Sequence, residues 1–135
     1  MSEAEIRDEL AAAIDTIESG YEFLLAYAAQ GRRTDRDAGA DRSPRKRLEA
    51  MADAIGALPK LTQTVAAGAG NVLNDSAAFF DALERDAAVA AGAIRLVLAQ
   101  QDIGSQLVDN LNASVHLRAL LTDIFLIDES LAAKA

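Results

Sequence analysis

The sequence of 135 residues has no cysteine, no tryptophan, two prolines, eight glycines and one histidine. Without cysteine there is no disulfide, no thiolate nucleophile and no Cys-ligated zinc or iron–sulfur site, which fits a reducing cytoplasm. So few prolines and glycines leave little material for the turns of a β-sandwich and favour long helices. A single histidine, His116, with Ala113 three positions before it, rules out the paired Glu-x-x-His motifs of ferritin-like di-iron bundles. A Ser-His-Asp hydrolase is equally disfavoured, because no strand or nucleophile elbow precedes His116.

Long apolar runs are missing as well. No stretch approaches the ~20 apolar residues that span a bilayer, and Met1-Ser2-Glu3-Ala4-Glu5 is acidic where a secretory signal is basic and then apolar. The expected location is the cytoplasm. Positive charge is in deficit: the net charge is −8 and the pI about 4.5, which argues against general nucleic-acid binding through phosphate neutralisation.

What is abundant is alanine, thirty residues of it, the best helix former. With six aromatics, the core must be built from Leu, Ile, Val and Ala. The length suits one domain, 1–135, and the expected fold is all-α, a four-helix bundle of long helices at about 2–31, 44–68, 76–101 and 105–132.

Ser2 and Glu5 have capping-box spacing, and Ile6, Leu10, Ala13, Ile14, Ile17, Tyr21, Leu24 and Ala28 form the first apolar stripe. Gly20 lies at its edge, where a neighbour can approach closely. Ser43-Pro44 opens the second helix, whose stripe is Leu48, Met51, Ala52, Ile55 and Leu58. Pro59 predicts a kink or a break, after which Thr62, Val65, Ala69 and Val72 keep nearly the same phase, and Gly68-Ala69-Gly70-Asn71 is a stop. Asn74, Asp75 and Ser76 are candidate N-caps for the third helix, with Phe80, Leu83, Ala87, Ala90, Ile94, Leu98 and Gln101 as its stripe.

Two helices carry more apolar surface than one buried stripe requires. On the third, Ala88, Gly92, Leu96 and Ala99 form a second, small-residue stripe. On the fourth, Leu107, Val108, Leu111 and Val115 point one way, Leu117, Leu120, Leu121, Ile124 and Leu131 point the other, and Ile124-Phe125-Leu126-Ile127 covers a whole turn. Either the fourth helix is central and buried on both sides, or Ala88, Gly92, Leu96, Ala99, Leu107, Leu111, Val115, Phe125 and Leu126 form an interface for a second copy or another helical protein. The sequon Asn112-Ala113-Ser114 falls inside this helix and reads as chance.

Between Arg32 and Arg47 stand seven basic residues (Arg32, Arg33, Arg36, Arg42, Arg45, Lys46 and Arg47) and three acids, net +4, which leaves −12 on the rest of the chain. Composition over 32–43 predicts a flexible surface loop. The cluster is a candidate contact for a phosphate-bearing or acidic partner, weighed against a solvated loop that pairs with its own Asp35, Asp37 and Asp41. Three lysine and arginine residues in the first turn of the second helix oppose the helix dipole.

Other chemistry is thinner. Phosphotransfer domains carry His-x-x-Lys-Gly on a helical bundle, whereas His116 is followed by Leu117, Arg118, Ala119 and Leu120. All-α magnesium-dependent nucleotide pyrophosphatases line a cavity with acids, for which Glu18 with Glu22 and Asp81 with Glu84 are the pairs to check; their positions read as solvated faces, and Asp128 as a helix-end carboxylate with a basic partner. The Ala-rich amphipathic helices resemble those of phasins in composition, which implies a polymer- or lipid-surface protein. The preferred expectation is a non-enzymatic helical interaction protein, an adaptor, assembly factor or accessory subunit, with no cofactor. The alternatives are a phosphorelay-type bundle using His116, a phasin-like protein and an all-α phosphohydrolase.

Overall fold

The computed structural model describes residues 2–39, 41–68 and 72–132, and it is all-α, with no strand among them. Helix α1 is Glu3–Ala28, α2 Pro44–Ala67, α3 Val72–Asp75, α4 Ala77–Leu98, α5 Ser105–Ala113 and α6 Val115–Ile127, followed by a π-helical turn Asp128–Ala132. Helix α1 lies against α2 and α5, α2 also against α4, and α4 against α6.

The start of α1 is a complete capping box, with Ser2 Oγ accepting from Glu5 N–H and the Glu5 carboxylate accepting from Ser2 N–H. Leu10, Ile14, Ile17 and Leu24 are buried along it. Gly20 faces a side chain: a Cβ there would stand 2.5 Å from both Cγ and Sδ of Met51, itself fully buried on α2.

Helix α2 runs unbroken through Pro59, so the reading of two short helices is set aside. Pro59 offers no N–H to the carbonyl four residues back, yet Ile55, Leu58, Thr62 and Val65 stay on one buried face. Thr62 reconciles its hydroxyl with that burial by donating to the Leu58 carbonyl at 2.7 Å. Gly68 caps α2; Ala69, Gly70 and Asn71 lie outside the described residues.

Of the candidate N-caps Asn74, Asp75 and Ser76, it is Ser76 that opens the third long helix, in keeping with the expected start near 76. Val72–Asp75 forms the short α3, and Ser76 holds the N-cap of α4 through its carbonyl, which accepts from Phe79 and Phe80, with no side-chain cap.

The expected continuous helix 105–132 is broken at Ser114. With φ −57° and ψ 130°, Ser114 ends α5 and caps α6, its Oγ accepting from His116 N–H. The reversal of the apolar stripe follows from this break. Val108 and Leu111 of α5 are buried, and so are Leu117, Leu120, Leu121, Ile124 and Ile127 of α6, because the turn at Ser114 re-aims the second half towards the same core. The sequon asparagine is structural: Asn112 is buried and its Nδ2 donates to the Leu24 carbonyl.

The segment after α1 is tied to the rest of the chain by a clasp of hydrogen bonds. Asp35 and Ala38 are buried. Asp35 accepts from Ile103 N–H (2.9 Å), the Arg32 carbonyl accepts from Ser105 N–H (2.8 Å), and Ser105 Oγ accepts from Arg32 N–H while donating to the Tyr27 carbonyl. Tyr27 completes the junction by donating its phenol to the Ile103 carbonyl at 2.6 Å. At the opposite end, Arg7 ties α1 to the π turn by donating to the Leu131 carbonyl.

Candidate functional site

Helices α4 and α6 run antiparallel. Phe79 and Phe80 at the start of α4 share a hollow of about 250 Å³ with Leu126, Ile127 and Leu131, and Asp86, two turns along α4, meets Asp123 of α6. The same pairing places Leu96 and Val115 at the other end of the seam.

The inward sides of both helices are spent on the core, but their outer sides retain large apolar groups. Leu96, Val115, Phe125 and Leu126 expose 57–68% of their surface, and Val89 is also exposed. Val89 and Leu96 lie seven residues apart on one face of α4; Val115, Ala119 and Leu126 recur at four- and seven-residue steps on α6. Scattered exposed leucines are ordinary, whereas five large apolar side chains on the solvent sides of two neighbouring helices are more than the core of either helix requires.

Of the residues read from sequence as an interface, Ala88, Gly92, Leu96 and Ala99 are exposed on α4. A Cβ on Gly92 would meet nothing within 4 Å, so no neighbour in the chain uses its small size. Val115, Phe125 and Leu126 are exposed on α6. Leu111 requires correction, because it is buried and offers no free surface, while Leu107 is partly buried against the core. Val89 belongs with the exposed set and was hidden in sequence among the alanines of α4.

The basic segment is mostly committed within the chain. Arg45 forms an ion pair with Asp35 (Nε–Oδ2 2.6 Å) and donates to the carbonyls of Leu98, Gln100 and Gln101. It is a structural strut between α2 and the 99–104 turn. Burial pushes the Asp35 carboxyl up, but the hydrogen bonds from Arg45 and Ile103 N–H outweigh it and hold the group below its ordinary value. Arg36 pairs with Asp102 (2.9 Å), Arg32 with Asp37 (3.2 Å), and Arg47 sits 4.8 Å above the Phe23 ring. Of the seven, Arg33, Arg42 and Lys46 are exposed and in no ion pair among the described residues.

The acid pairs read for magnesium lie apart from any such cage. Glu22, Asp81 and Glu84 are exposed, and among the described residues no three His, Asp or Glu side chains stand together as metal ligands. Partly buried Glu18 is pushed above its ordinary value, first by burial and then by Asp128, Asp15 and Glu22. Asp128 is half-buried and forms no ion pair among the described residues. His116 is exposed in the first turn of α6.

One polar feature escaped sequence reading. Asp86 and Asp123 meet across the α4–α6 seam, both half-buried, and Asp123 Oδ2 is shielded from solvent without a hydrogen-bond partner. Burial first, and then the neighbouring Asp86 carboxyl, push Asp123 up to about 7. Among the described residues no helix is long and apolar enough to cross a membrane. Comparison with protein-family models, curated proteins and solved structures finds no match to this chain, so its function is read from its own geometry.

Proposed function

We propose that the chain is a non-enzymatic helical interaction protein of the four-helix-bundle type, its fourth arm made of α5 and α6, and that it associates through the outer faces of α4 and α6 with a second copy of itself. The observation that carries this reading is the exposure of Leu96, Val115, Phe125 and Leu126 on two adjacent helices. Burying such side chains against a partner is worth about 1.5–3 kcal/mol each before the cost of association is met. The basic segment contributes less to this reading, because Arg45, Arg36, Arg32 and Arg47 already have partners within the chain.

Alanine truncation of Leu96 or Phe125 tests the reading. Each variant is expected to weaken self-association at least tenfold in sedimentation equilibrium while leaving the unfolding midpoint within a few degrees of wild type. Equal losses of association and stability would place these residues in the monomer's fold instead.

A further inference from the structure

We propose that Asp86 and Asp123 share one proton, forming a latch that holds α6 against α4 while the proton is present and loosens the seam when it is lost. The two carboxyl groups come from facing helices, both half-buried, and one oxygen of Asp123 is shut off from water with no donor. Two adjacent carboxylates repel, and a buried oxygen without a donor costs free energy. One proton removes both penalties by converting one group to a carboxylic acid whose O–H donates to the other. On deprotonation the O–H bond breaks, the proton passes to water, and two like charges face each other across the seam. Burial raises the Asp123 carboxyl into the neutral range in the same sense.

Nothing nearby supplies a compensating cation. None of the ion pairs among the described residues involves Asp86 or Asp123, and Asp86 is the one charged group that perturbs Asp123. The other charged or titratable groups of the two helices are Asp81, Glu84, Arg85 and Arg95 on α4, and on α6 Arg118 and His116, the latter two turns earlier on the same flank; Asp109 stands on α5, and Asp128 and Glu129 on the π turn. The pair lies in the seam between the exposed residues of α4 and those of α6. Resting on the self-association reading above, the latch therefore makes association proton-linked: a second copy covering the seam favours the protonated pair, and dimers weaken as the pH rises through neutrality.

The first measurement needs no variant. Carbon-13 carboxyl shifts of the wild-type chain, followed from acid to mildly alkaline pH, are expected to show Asp123 titrating near 7, and a midpoint near the ordinary value of about 4 overturns the latch. Asp123→Asn and Asp86→Asn each replace the shared proton with an amide donor. Either is expected to abolish the fall in unfolding midpoint and the rise in α6 amide exchange, corrected for its intrinsic pH dependence, that wild type shows as the pH rises from about 4 to about 7 and that levels off above it. His116→Gln should keep the wild-type profile, and a flat profile in that variant assigns the titration to the histidine and overturns the proposal. Light scattering over the same pH range separates the two ideas. A chain monomeric throughout, with the Asp123 titration intact, removes the self-association reading and leaves the latch standing.

Discussion

Replacing Asp35 with alanine tests the clasp that ties the segment after α1 to the turn before α5. The substitution removes a two-point contact with Arg45, at 2.6 and 3.4 Å, and strips Ile103 N–H of its 2.9 Å acceptor. Breaking a buried ion pair by deleting one partner costs about 3–5 kcal/mol. Here the Asp35 side chain is 3% exposed but that of Arg45 is 33% exposed and keeps three carbonyl acceptors, so the lower end applies. The expected loss is about 3 kcal/mol at neutral pH. With an unfolding entropy of about 2.1 cal/mol/K per residue over 135 residues, the midpoint should fall by about 10 °C.

Acid should remove this difference. A carboxyl held below its ordinary value in the folded state contributes stability above its unfolded pKa of about 3.9, and that contribution disappears as pH falls through the folded value. Thermal unfolding of wild type and Asp35→Ala, followed by circular dichroism at about pH 7, 4 and 3, should therefore show the gap narrowing with acid. A cost below about 1 kcal/mol at neutral pH, the range of exposed ion pairs, would refute the reasoning. So would a gap that stays constant with pH.

Two further substitutions probe packing and the same junction. Gly20→Ala gains helix propensity of about 1 kcal/mol but drives its Cβ into Met51, so it should destabilise by about 1–3 kcal/mol in urea unfolding; in a Met51→Ala background the penalty should vanish, and an additive cycle would show that the two residues do not meet. Tyr27→Phe removes the buried phenol donor to the Ile103 carbonyl and should cost about 1–2 kcal/mol, and an unchanged midpoint would mean that bond is not formed in solution.

The all-α fold was legible because its signals are local. The Ser2–Glu5 box, Ser43-Pro44 and the stripes through Leu10, Leu48 and Leu83 are each written within a turn or two of sequence, and the helices formed where those signals lie. The break at Ser114 was visible as a reversal of the apolar stripe, but periodicity alone gives the same pattern for a helix buried on both sides. The remaining 3.6-residue bookkeeping assigned Leu111 to an outer surface that the turn carries inward. The clasp was illegible for a different reason. Asp35 meets Ile103 and Arg45 meets Gln100 across long stretches of chain, so a polar, glycine-containing segment reads as loose when it is tied by contacts that no local pattern encodes. Asp86 and Asp123 hid in the same way, each an ordinary helical acid until α4 and α6 bring them together.

Self-association depends most directly on the outer face of α4 and α6, and the decisive measurement is the mass in solution, by light scattering across a range of concentrations, of wild type and of Leu96→Asp. A wild-type dimer and a folded monomeric variant are expected, since a carboxylate at a position 67% exposed leaves the core untouched but cannot be buried against a second apolar face. A wild type that stays monomeric at every concentration, or a Leu96→Asp dimer indistinguishable from it, would contradict self-association through this face.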